Sequence, residues 1–119
     1  MKTDVFFITL NKTDERYSPT TLYQDYAVSD TLFHWQSQNA TSPESKVGQR
    51  YIHHAEQGVI ILLFVRENDF VDNLACPFVF LGPATYESHT GSKPMSILWR
   101  LTYPIPARLL PVTRRLVPD

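Results

Sequence analysis

The run Val59 to Val65, VIILLFV, is the longest uninterrupted apolar stretch of the chain and constrains the fold most. It is far shorter than the ~20 apolar residues a membrane-spanning helix needs, and its β-branched and aromatic content favours a strand. As a near-continuous apolar strand it is expected to be buried on both faces and to form the centre of a sheet. Gly58, directly before it, reads as a helix stop. Other runs of similar kind flank it. Val5 to Leu10 (VFFITL) reads as a short buried strand, and Cys76 to Leu81 (CPFVFL) begins another, with Pro77 suited to a strand start. Gly82-Pro83 then imposes a bend or bulge before the strand resumes at Ala84 to Tyr86. Met95 to Leu101 (MSILWRL) is a further strand, and Tyr103-Pro104-Ile105-Pro106 is too proline-rich for central sheet.

Helix signals are fewer. Ser18-Pro19-Thr20-Thr21 offers a cap followed by proline at the first helical position, which predicts a short helix through Asp25 with Tyr23 and Tyr26 on one side. A second short helix is predicted over Glu44 to His54, and a helical turn around Ala107 to Leu110. Arg66 to Asn73 forms a polar excursion with the shape of a loop or wide hairpin end, and Ser88 to Lys93 a second polar loop. The whole pattern is that of an α+β fold: a curved, mainly antiparallel sheet, able to close as a small open β-barrel, with one or two short helices. Parallel β-α-β alternation fits less well, because the helix candidates are short and early.

With 119 residues, 43% of them hydrophobic, the chain has the apolar mass for one core, so a single domain is expected, with its core at about 5–110 and a tail at 111–119. The formal net charge is -1 and the pI about 6.4, so no global basic field advertises nucleic-acid coating. An anionic partner must be met by a local patch. The lone Cys76 cannot form an intramolecular disulfide, which points to a reducing compartment, the cytoplasm by default. The N-terminal MKTDVFFITL is broken by Asp4 and lacks a small-residue cleavage site, so neither a signal peptide nor a membrane partner is expected.

Recognition chemistry concentrates between Leu32 and Tyr51, LFHWQSQNATSPESKVGQRY. Strand alternation puts Phe33 and Trp35 on one face and His34, Gln36 and Gln38 on the other. A turn through Asn39, Thr41, Ser42 and Pro43 follows, then the helix carrying Arg50. Amides can pair with base edges, Arg50 and Lys93 can meet phosphates, and an aromatic can stack on an exposed base. The expected DNA-contacting set is therefore His34, Trp35, Gln36, Gln38, Thr41, Ser42 and Arg50, joined by Tyr86, His89 and Lys93, with the polar edge from His34 to Arg50 opening onto one shared hollow. Most of them have an ordinary alternative: core packing for Trp35, as for Phe33 beside it, a solvated strand face for His34, Gln36 and Gln38, a surface ion pair for Arg50, an exposed loop for His89 and Lys93.

Catalytic signals are weak. His34, His53, His54 and His89 lack partners at metal-ligand spacing, and the adjacent pair His53-His54 points to different sides of a helix. Cys76 has no cationic neighbour in sequence to activate it. Gly48, Gly58, Gly82 and Gly91 form no nucleotide-binding pattern, and Glu67 and Asp69 lack the carboxylate-lysine set of a nuclease strand. No catalytic residue, metal or cofactor is expected.

The series SPTTLYQDYA, LFHWQSQNATSPES, GQRYIHH, ILLFVRE, PFVFLGPATYESHTGSKPMSILWRL and PIPARLL, running from about Val5 to Leu110, resembles the uncharacterised domain at the C-terminal end of many bacterial superfamily II (DEAD/DEAH-type) helicases. In those proteins a phospholipase-D-like nuclease domain often precedes the helicase, and the domain is also fused to restriction-type nucleases. The resemblance implies work on DNA in restriction or phage defence, as a module that senses target DNA, including modified DNA, with a helicase or nuclease as partner in cis or in trans. It also implies an excised module or stand-alone copy with no motor or cleavage activity of its own. Two other classes compete: an interaction or structural cap domain docking on a helicase or other protein, which near-neutral charge favours, and a small-molecule pocket lined by Trp35, Tyr86 and His34.

Overall fold

The computed structural model describes residues 2–11, 25–68 and 70–109. The strands are β1 (Lys2–Asn11), β2 (Tyr26–Ala27), β3 (Leu32–Gln36), β4 (Val59–Asn68), β5 (Phe70–Val71), β6 (Leu74–Ala75), β7 (Val79–Thr90) and β8 (Ser96–Leu101). One α-helix, α1 (Lys46–Ile52), and a 3-10 turn, Ala107–Leu109, accompany them. β5 and β6 pair as a separate hairpin whose turn residues Asp72 and Asn73 have φ of 51° and 66°, the left-handed conformation that two-residue hairpin turns require. The other six strands form one sheet in the order β1-β4-β7-β8-β3-β2. Its pairings are antiparallel except β1 with β4, so the small α+β architecture with a mainly antiparallel sheet is as expected.

The sheet is curled, and one ring contact shows how far. Phe6 of β1 stacks on Trp35 of β3 with centroids 4.5 Å apart. These are the first and fifth strands of the order, which in a flat sheet would lie about 19 Å apart at ~4.8 Å per strand. Only a half-barrel brings them face to face. Helix α1 packs against the concave side, where Tyr51 meets Phe6 at 5.6 Å, Trp35 at 5.4 Å and Trp99 at 6.2 Å. The core is the inward-facing set of the six-stranded sheet, including Phe6, Ile8, Leu10, Phe33, Ile61, Leu63, Ile97, Trp99 and Leu101.

This geometry corrects the reading of 59–65 as a strand buried on both faces. Val59, Ile61, Leu63 and Val65 are buried, whereas Ile60 is exposed and Leu62 and Phe64 are partly covered. The curl and the helix cover only the concave face, so the convex side of β4 keeps its apolar residues near solvent. Nor is β4 central, since β7 and β8 occupy the middle of the order.

Strand β7 is longer than expected. Ser88, His89 and Thr90 pair with Leu98, Ile97 and Ser96, so the second polar loop begins only at Gly91. Register shifts lie between Leu63 and Phe64 on β4, opposite Gly82 and Phe80, and between Tyr86 and Ser88 on β7. The first realises the bend expected at Gly82-Pro83. Gly82 has φ +99°, a backbone conformation that favours glycine, and the exposed Tyr103 ring lies 3.2 Å from where a Cβ would stand.

Tyr26, expected beside Tyr23 at helical spacing, pairs instead with His34 in β2 and Asp25 lies in a bend; the rest of that predicted helix, Ser18 to Gln24, lies outside the described residues, as does the tail. The helix expected over 44–54 is shorter, because Ser45 caps it: its Oγ accepts from the Gly48 N–H at 3.0 Å. No helix among the described residues is long and apolar enough to cross a membrane.

Candidate functional site

Strand β3 sorts its side chains as alternation requires. Phe33 is sealed, Trp35 is half-buried against Phe6, and His34 and Gln36 face the convex side. Gln38 does not stay with them. The strand ends at Gln36, and Ser37 locks onto Met95: the Ser37 N–H donates to the Met95 carbonyl and the Met95 N–H to Ser37 Oγ, both at 2.9 Å. The chain therefore turns before Gln38. Its Oε1 accepts from Thr41 Oγ1 at 3.2 Å and from the Tyr51 hydroxyl at 3.4 Å, which places it at the concave rim.

A hollow of about 340 Å³ opens there, walled by Asp4, Phe6, Trp35, Gln38, Arg50 and Tyr51, and by Val5 and Phe7 of the same strand. Arg50 Nε donates to Asp4 Oδ2 at 2.8 Å, with the two side chains 34% and 24% exposed. Burial pushes the Tyr51 hydroxyl above its ordinary pKa of 10.0; the bond to Gln38 and the Arg50 charge pull it down, and the Asp4 charge adds to the rise. On the other side of Arg50 lies a second cleft, about 640 Å³, lined by Lys2, Lys46, Gln49, Gln57 and Arg50 itself. Arg50 is thus the shared wall between a cationic cleft and an aromatic hollow with an amide and a carboxylate.

The ten expected residues do not share one cavity. Trp35, Gln38 and Arg50 come together, whereas His34 and His89 line a different hollow of about 260 Å³ with Tyr26, Ser88, Thr90 and Ser96. The Tyr26 and His34 rings stack there at 4.8 Å. Gln36 gives its N–H to Asp25 Oδ1 at 2.9 Å, on the far edge of the sheet from β1. Thr41 and Ser42 are buried and hold the turn, the Ser42 carbonyl accepting from Ser45 Oγ at 2.7 Å. Lys93 is exposed, and its N–H donates to the Thr41 carbonyl at 2.9 Å, tying its loop to that turn. The Tyr86 hydroxyl lies 2.7 Å from His89 Nδ1, and burial raises its pKa. The single hollow running from His34 to Arg50 is accordingly replaced by separate sites on opposite faces, because the strand end after Gln36 reverses which way the amides point.

Several residues at the rim were not foreseen. Asp4 occupies the same parity on β1 as Phe6, Ile8 and Leu10, so alternation alone would have marked an acid on the inward face. Lys2 and Lys46 carry no such signal, since only the parallel pairing of β1 with β4 and the packing of α1 bring them together. His54 is 4% exposed and structural. Its Nδ1 lies 2.9 Å from the Val59 carbonyl, and its Nε2 accepts the Tyr86 N–H at 3.1 Å beside the second register shift of β7, which fixes the Nδ1–H tautomer. The Trp99 indole N–H is buried nearby and has no hydrogen-bond partner among the described residues; its ring packs against those of Tyr51 and His54.

Compared with known protein families, residues 1–111 match the profile of a family described as a domain of unknown function, DUF3427. No curated protein matches the chain.

Proposed function

Since the chain belongs to the DUF3427 family, we propose that this family member is a DNA-binding and DNA-sensing module that takes a nucleotide at the open rim of its half-barrel. The observation that carries the proposal is the position of Arg50 between the two clefts. A cationic groove directly beside an aromatic hollow matches the division of labour in nucleic-acid recognition, in which phosphates position and bases specify. Lys2, Lys46 and Arg50 would meet the backbone. Trp35 and Tyr51 would wall the base, and Gln38, with its oxygen held by two hydroxyls, would offer its NH2 to the base edge.

A base must leave its stack to reach such a hollow, at a cost of a few kcal/mol, which a stacking contact of about 1–3 kcal/mol partly offsets. Single-stranded, mismatched or modified DNA is therefore the favoured ligand over ordinary duplex. The resemblance to domains carried by helicases and restriction-type nucleases supports a place in restriction or phage defence, with the motor or cleavage activity supplied by a fused or separate partner.

The test is fluorescence anisotropy with labelled single-stranded, mismatched, base-modified and fully paired DNA. Lys46→Glu should weaken binding to every substrate and flatten its salt dependence. Gln38→Ala should weaken only the unstacked or modified substrates. Identical affinities of wild type and both variants across the panel would reject the site.

A further inference from the structure

We infer that the border of the sheet formed by β1 is an interaction surface for a second copy of this chain, joined as an antiparallel strand pair. Among the described residues nothing pairs with the side of β1 away from β4, so a ten-residue strand leaves one row of backbone donors and acceptors unpaired. Sheet borders are normally guarded by charge, proline or a bulge. Here the only charges are Lys2 and Asp4 at the start, and Val5 to Leu10 carries none of these devices. Two of its outward-facing residues are large, apolar and exposed, Val5 at 42% and Phe7 at 63%. Phe7 continues into a row of rings on the convex face, 5.2 Å from Phe64, which in turn lies 4.7 Å from Phe80.

The strand names its own partner because its pattern is self-complementary. In an antiparallel pair, opposed residues share a face. With the two-fold axis at Phe6, Val5 stands opposite Phe7 of the second copy and Thr3 opposite Thr9, both on the convex face. Each is a favourable cross-strand combination, and each occurs twice by symmetry. Lys2 and Asp4 fall opposite Leu10 and Ile8, so no like charges meet. The same register would continue the row of phenylalanines across both copies.

Sedimentation velocity across a wide concentration range should show a monomer–dimer equilibrium. Phe7→Lys, a change at a largely exposed position, should weaken the dimer about tenfold while the monomer stays folded by circular dichroism. The register is read separately: in a Cys76→Ser background, the double variant Thr3→Cys/Thr9→Cys should give a disulfide-linked dimer under mild oxidation, and either single cysteine should not. A wild-type protein that stays monomeric at every concentration would overturn the inference, as would a dimer indifferent to Phe7→Lys. The DNA measurements use dilute protein and variants at Lys46 and Gln38, outside β1, so failure of the dimer and failure of the DNA site are told apart.

Discussion

Two buried polar residues show how single side chains hold this domain. His54 serves the Val59 carbonyl and the Tyr86 amide at once, across elements that the sequence separates. His54→Phe fills the space but leaves both groups unpaired, and is expected to cost about 1–3 kcal/mol for each, measured by urea denaturation. Tyr51 sets a pH dependence. Because its folded pKa is raised above 10.0, the neutral phenol is the form the fold prefers. Its contribution is complete below pH 10.0 and is lost as pH climbs through the folded value, so denaturation midpoints should fall on the alkaline side and Tyr51→Phe should blunt that fall. Asp4 shields Arg50 at 2.8 Å. Asp4→Asn is expected to strengthen DNA binding severalfold at low salt and less at high salt, by anisotropy titration, since the guanidinium no longer has a fixed counter-charge. Of these roles the sequence announced only part. The inward parity of Asp4 follows from local periodicity, whereas His53 and His54 lie beyond the end of α1 at Ile52, so helical spacing does not account for their different surroundings. The Arg50–Asp4 pair spans 46 positions, and no spacing rule reaches that far.

At the level of elements, α1 depends on its entry. Ser45 supplies the cap, while Gly48 presses against the Ser42 carbonyl so closely that any Cβ would collide with backbone. Ser45→Ala should cost about 0.5–2 kcal/mol. Gly48→Ala, normally a gain inside a helix, should destabilise by about 1–3 kcal/mol or more, because the Ser42 carbonyl cannot swing away as a side chain could. Comparing the two denaturation curves checks the order. Most strands were legible: VFFITL and MSILWRL fall in β1 and β8 because alternation and β-branched content agree there. The length of β7 was hidden, since Ser88, His89 and Thr90 look like loop residues and are held in the ladder by pairing with β8. The double burial assigned to 59–65 failed for a related reason: composition tells how apolar a strand is, while only the packing of other elements tells how many of its faces are covered.

Across the whole molecule, the curl is the feature that local patterns could least disclose. It comes from distant rings, Phe6 on Trp35 above all, and it is what joins residues from the start of the chain to those of the middle in one rim. A polar, aromatic concentration of side chains between 32 and 51 was visible in the sequence; its division between two faces was not. The wall of the hollow from Asp4 to Phe7 is at the same time the margin of the sheet, left unpaired among the described residues. Whatever zips onto that margin stands in the doorway of the hollow. If the rim takes a nucleotide and the margin a second copy, as proposed, the two exclude each other, so DNA should dissolve dimers rather than recruit them, and each molecule should bind less readily as the solution grows more crowded with its own kind.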